Sequence, residues 1–149
     1  MKTNIFLSLL VAAFLFTVNA GASNPEKKVL NNVETTELGD VKEMISLNKD
    51  TSEPETKVVY YYNPAGELQK KIMYKWSAKK GWTGYRKYDY VYNDKGLVSN
   101  MIYTEWDKKA ETWSNKSVQH IHVYDDNGKF FAMKKIDDYN RNSYFLAEN

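Results

Sequence analysis

The chain contains only two histidines, His120 and His122. At i and i+2 they project from one face of a strand, a spacing that metal sites sometimes use. Zinc takes three or four ligands, and there is no cysteine and no third histidine to complete the set. The predicted role of the pair is as half-buried sheet residues standing where an earlier segment has Tyr88 and Tyr90. Asp125-Asp126-Asn127-Gly128 has the look of a calcium loop. It lacks the alternating acids and downstream Glu of an EF-hand, so it reads as turn chemistry. Asp89 and Glu105 are the carboxylates that could share glycosidase work on neighbouring strands. No nucleophile elbow, zincin helix motif or phosphate-cradling glycine loop is present. No catalytic residue, metal or cofactor is therefore assigned.

The remaining candidates are aromatic. Trp76, Trp82, Trp106 and Trp113 fall near predicted loops, interleaved with Lys79, Lys80, Arg86, Lys108 and Lys109. Most Tyr and Trp in sheets simply build packing. A Trp left exposed on a rigid strand stacks on sugar rings or anchors a protein partner. These four residues are the predicted binding site.

The elements that would position them are marked by a repeated pattern. Gly66, Gly96 and Gly128 are spaced by 30 and 32 residues. Tyr62, Tyr92 and Tyr124 precede them by four positions, and Leu68, Val98 and Phe130 follow by two. "NPAG", "NDKG" and "DDNG" suit a type I turn closed by a left-handed glycine. Asn or Asp at the first position bonds the local backbone, and Pro64 presets φ at the second. Three β-hairpins follow, making a six-stranded antiparallel meander with Tyr62 opposite Leu68, Tyr92 opposite Val98 and Tyr124 opposite Phe130. The Trp pairs are expected to meet across the polar loops "SAKKG" and "DKKAET".

Strict alternation then puts Val58, Tyr60, Tyr62, Leu68, Ile72, Tyr74 and Trp76 on one face, with Tyr88, Tyr90, Tyr92, Val98, Ile102 and Trp106. Val118, Tyr124, Phe130, Ala132 and Ile136 join them. The opposite face reads as mostly charged. The same register puts His120 opposite Lys134. The apolar face needs a cover, from curling of the sheet, from docking of the 33–50 segment or the Tyr144-Phe145-Leu146 tail, or from a second subunit.

The N-terminus resembles a secretory signal: Met1-Lys2, an apolar run from Ile5 to Val18, and small residues before Gly21. Residues 1–20 are predicted to be cleaved. The expected locations are the periplasm, the cell surface or the medium, with no membrane span in the mature form. Residues 21–56 hold four Lys against eight acids and no aromatic ring. They read as a polar, partly mobile leader, with a short helix or an edge strand through "VKEMISL" as its local options. The repeat domain is placed at 57–149. A formal charge of +2 for the whole chain gives no electrostatic case for nucleic acid.

Two resemblances sit on these residues. "YVYNDKG" and "HVYDDNG" resemble the Tyr-Asp signature of Rhs-type extracellular β-repeats. "YYNPAGELQKKIMYKW" and the "YDYVYNDKG" segment are similar to a family of small secreted proteins of Bacteroides-type bacteria, classed as a domain of unknown function, over about residues 57–136. The resemblance implies export and an all-β fold and brings no catalytic residue. The expected function is a non-enzymatic β-repeat domain of the cell envelope that binds a glycan or an envelope protein, with a homo-oligomer possible. The alternative is a small hydrolase of cell-wall or dietary polymers.

Overall fold

The computed structural model describes residues 28–138 and the backbone of residues 143–147; the predicted signal segment lies outside them. The strands are β1 (Lys28–Thr36), β2 (Gly39–Leu47), β3 (Pro54–Tyr62), β4 (Leu68–Ser77), β5 (Gly81–Tyr92), β6 (Val98–Asp107), β7 (Thr112–Trp113), β8 (Val118–Tyr124), β9 (Phe130–Asp137) and β10 (Ser143–Ala147). Nine of them pair antiparallel in chain order, β1-β2-β3-β4-β5-β6-β8-β9-β10. The two-residue β7 pairs with the far end of β6 through Trp106 and Trp113. The sheet has nine consecutive strands where six were expected. The extra ones come from both flanks: β1 and β2 lie in the segment read as a leader, and β10 in the tail. "VKEMISL" is a strand, as one option had it, but it lies inside the sheet between β1 and β3 and not at an edge.

The turns explain the repeated spelling. Asn63 N donates to Glu67 O and Gly66 N to Asn63 O, each at 2.9 Å. Asn63 Oδ1 accepts from the N–H groups of Ala65 and Glu67. The same four bonds recur around Asn93 and around Asp125. Gly66, Gly96 and Gly128 take φ of 81°, 73° and 78°, a left-handed conformation that is strained for residues with a β-carbon.

Beyond each turn the register departs from strict alternation. Tyr62 pairs with Leu68 as expected, but Tyr61 pairs with Lys70, so Gln69 is an extra residue. Ser99 and Phe131 are extra in the same way, between Tyr92↔Val98 and Val91↔Asn100, and between Tyr124↔Phe130 and Val123↔Ala132. Each such β-bulge moves every later side chain of its strand to the other face. The expected single apolar face is corrected accordingly. Ile72, Tyr74, Trp76, Ile102, Trp106, Ala132 and Ile136 lie on the face opposite Tyr60, Tyr88 and Tyr124. His120 faces Lys135, not Lys134. A further bulge in β5 leaves Tyr85 unpaired between Met73↔Arg86 and Tyr74↔Gly84.

The outcome is two chemically distinct faces. One, the tyrosine face, carries Tyr60, Tyr62, Tyr88, Tyr90, Tyr92, Tyr103, Tyr124 and both histidines. The other, the tryptophan face, carries all four Trp with Val59, Ile72, Ile102, Ile121 and Ile136. Contacts run between strands adjacent in the sheet, and no second layer covers either face among the described residues. The segments expected to cover a face extend the sheet sideways instead. Only Leu47, Val59 and Val118 are buried apolar residues, and no described side chain is fully buried.

Cross-strand side chains do the work of a core. On the tyrosine face Lys71 Nζ stands 5.7 Å from the ring centroids of both Tyr60 and Tyr88, and Tyr88 packs against Tyr103 at 5.3 Å. The Arg86 guanidinium lies 4.5 Å over Tyr85, with Lys75 Nζ 4.0 Å from the same ring. Long cationic stems cover ring area while their heads stay wet. Hairpins are also fastened to one another. The Tyr92 hydroxyl donates to Leu68 O at 3.0 Å, and the Tyr124 hydroxyl to Val98 O at 2.8 Å. These are equivalent positions of successive repeats. The β4–β5 and β6–β8 ladders begin further along, at Lys70 and Asn100, so the tyrosines reach carbonyls that lie beyond the paired segments. Burial pushes the Tyr92 phenol above its ordinary pKa, which keeps it a donor.

Candidate functional site

The Trp face closes at its loop end into two edge-to-face pairs. Trp76 and Trp82 oppose each other across β4 and β5, centroids 5.2 Å apart at 65°. Trp106 and Trp113 do so across β6 and β7, 5.1 Å apart at 86°. Both pairings were expected from the sequence. Their relation to each other was not. β5, which carries Trp82 of the first pair and lies beside β6 of the second, has Gly84 where its neighbours carry rings. The benzo ring of Trp106 fills the space above that glycine.

A cleft of about 390 Å³ opens there, lined by Tyr74, Trp82, Thr83, Gly84 and Trp106. Lys80 and Glu111 close its rim with an ion pair between the two loops. Glu111, at φ 50°, is held below the usual carboxylate pKa by Lys80. Lys57 Nζ flanks the cleft, 5.0 Å from the Tyr74 centroid and 5.1 Å from that of Trp82, and it also pairs with Glu43 at 3.5 Å. Lys87 stands 5.7 Å from the Trp113 ring. Trp106 Nε1 is sequestered without a hydrogen-bond acceptor among the described residues.

Three of the four predicted Trp residues therefore belong to one constellation: Trp82 and Trp106 line the cleft, and Trp113 props Trp106. Trp76 is the outlying member, 36% exposed and packed behind Trp82. Lys80 was expected among the cations interleaved with the rings, but its pairing with Glu111 and the parts of Tyr74 and Gly84 were not anticipated. Glycine 84 is silent in a sequence, because its role depends on a ring arriving from the next hairpin.

The other candidates are dispersed. Asp89 lies on the tryptophan face between Lys70 and Lys87, at 3.7 and 3.6 Å. Glu105 lies on the tyrosine face and accepts the Tyr103 hydroxyl. The sheet separates these carboxylates, so they do not form a catalytic pair. Burial, followed by the bond to Glu105, pushes the Tyr103 phenol well up. His122 Nδ1 lies 3.1 Å from Val98 O, and its ring packs against Tyr124 and Phe130. His120 faces Lys135, an arrangement that disfavours a cation. Asp125 Oδ1 is occupied by its own turn, and Lys95 Nζ donates to Asp126 O at 2.8 Å. No helix among the described residues is long and apolar enough to cross a membrane.

No protein-family model matches the sequence, and no curated protein matches it significantly. Solved structures do. A protein of unknown function from Bacteroides fragilis aligns with a TM-score of 0.50 at 17% identity, covering 83% of this chain and 91% of its own. A DUF3836 family protein from Parabacteroides distasonis gives 0.44 at 16%, covering 78% and 95%. Another from Bacteroides vulgatus gives 0.41 at 17%, covering 57% and 87%. The sheet described above is thus a fold shared with the Bacteroides fragilis protein of unknown function.

Proposed function

We propose that the protein is an exported, non-enzymatic binding domain of the cell envelope, and that the cleft between Trp82 and Trp106 takes a sugar ring of a glycan. The observation that carries this reading is the cleft lined by the indoles of Trp82 and Trp106 with Tyr74 beside them. Ring faces stack on the C–H surfaces of a sugar. The Lys80–Glu111 pair at the rim offers a donor and an acceptor to sugar hydroxyls. Concave, largely apolar sites with a few placed polar groups are the usual form of small-ligand pockets. Export rests on the signal-like N-terminus.

Titration of the mature chain with a panel of soluble glycans, followed by tryptophan fluorescence, tests the reading. The expected result is a saturable change with at least one glycan, together with protection of the indoles from iodide quenching. Both are lost in Trp82→Ala and Trp106→Ala and retained in Trp76→Ala. A panel that leaves emission and quenching unchanged, or binding untouched by Trp106→Ala, overturns it.

A further inference from the structure

The sheet ends at β1, and β1 is built unlike a protected edge. Natural edge strands are blunted by proline, bulges, inward charges or a covering loop. β1 contains no proline, and its register with β2 runs unbroken from Lys28↔Leu47 to Thr36↔Gly39. Among the described residues no strand lies on its outer side. Val29, Leu30 and Val33 are exposed apolar residues on this edge, Val33 at 45%.

We infer that β1 pairs antiparallel with β1 of a second copy of this chain, about a two-fold axis through Asn31 perpendicular to the sheet. Such an axis keeps each face continuous across the junction, so only registers that pair same-face residues are allowed. Centring on Asn31 sets Lys28 against Glu34 of the second copy, and Val29 against Val33 of the second copy. The symmetry makes each contact twice. Among the described residues neither Lys28 nor Glu34 has an ionic partner within its own chain, so the junction would supply the one each lacks. Moving the axis to Asn32 would set Leu30 against Glu34 and Asn31 against Val33. Those pairings oppose apolar groups to polar ones, as Leu30 against Asn32 does in the first register, but keep neither the Val29–Val33 contact nor the two ion pairs. Asn31 itself would meet its counterpart on the axis, and its Oδ1 has no hydrogen-bond partner among the described residues. Opposite charges and β-branched pairs facing each other across a ladder stabilise it, and like charges oppose it.

The test is the mass of the folded chain in solution at micromolar concentration, by sedimentation and light scattering. A dimer is expected. Glu34→Lys alone and Lys28→Glu alone place like charges opposite each other and are expected to give monomers. The combined Lys28→Glu/Glu34→Lys exchange restores the dimer, which separates lost pairing from lost folding. Because the chain has no cysteine, Asn31→Cys reports the register directly. It is expected to form a disulfide-linked dimer under mild oxidation, and Asn32→Cys is not. A monomeric wild type, open-ended polymers, a dimer indifferent to Glu34→Lys, failure of the double exchange to restore it, or crosslinking at Asn32 in place of Asn31 would each overturn the inference.

Discussion

Trp106 occupies the place of a missing side chain at Gly84: an ideal β-carbon there would sit 2.3 Å from its Cε3. The contact joins the second and third Trp-bearing strands and defines one wall of the cleft. Gly84→Ala must push Trp106 off the sheet. Overpacking of this kind typically destabilises by about 1–3 kcal/mol. We expect a lower urea midpoint, and loss of any glycan response even where the fold survives. An alanine variant as stable as the parent would mean that Trp106 moves freely.

The links between hairpins should be measurable one at a time. Tyr92→Phe removes the hydroxyl from Leu68 O and leaves packing intact, a loss of about 0.5–1.5 kcal/mol in chemical denaturation. Tyr124→Phe should be milder, because Val98 O keeps His122 Nδ1 beside it. Equal losses would contradict the role given to His122.

The bulge at Gln69 decides which face Ile72, Tyr74 and Trp76 occupy. Deleting Gln69 removes the extra residue and leaves Lys70, Ile72, Tyr74 and Trp76 in their present pairings, whereas inserting one residue after Gln69 shifts the strand by one and sends Ile72, Tyr74 and Trp76 toward the tyrosine face. The Trp76–Trp82 pair and the cleft cannot form in the insertion variant. We expect the insertion to abolish the near-ultraviolet circular dichroism of the indoles, whereas deletion of Gln69 and Gln69→Ala leave it unchanged.

Acid should weaken the fold in two stages. Burial, and then the charge of Lys135, lower the His120 pKa from its ordinary 6.5. The unfolded chain therefore binds this proton more readily, and stability falls as pH drops below about 6.5 toward the folded value. His120→Gln should flatten that part of the profile. A separate decline at lower pH follows from Asp107, whose carboxylate is held down by the N–H groups of Ala110 and Lys109, and from Glu111 with Lys80. A thermal midpoint unchanged between pH 7 and 5 (roughly the histidine range) would contradict the first stage.

The parts legible in the sequence were those whose chemistry is local. Asn63, Asn93 and Asp125 each bond their own turn, so four residues suffice to specify the corner and the first cross-strand pair beyond it. The bulges were not legible, because Gln69, Ser99 and Phe131 share no side-chain property; a backbone irregularity selects them. Strands β1 and β2 were obscured because their segment lacks the apolar content that marks an ordered element. β2 is ordered by pairing with β3, and β1 in turn by pairing with β2. The Trp pairs could be inferred across single loops, whereas the cleft depends on two hairpins meeting at Gly84.

A domain closed around an oily interior cannot gain or lose strands without being rebuilt. Among the described residues this sheet has no fully buried side chain, and each hairpin rests on the ones beside it. Its stability should then grow nearly in proportion to its width, as in linear arrays of nearest neighbours. Melting would start from the outermost strands and travel inward as a front. For the lineage that carries it, lengthening by duplication demands no new core, only another Asn-x-x-Gly corner and one more tyrosine to fasten it.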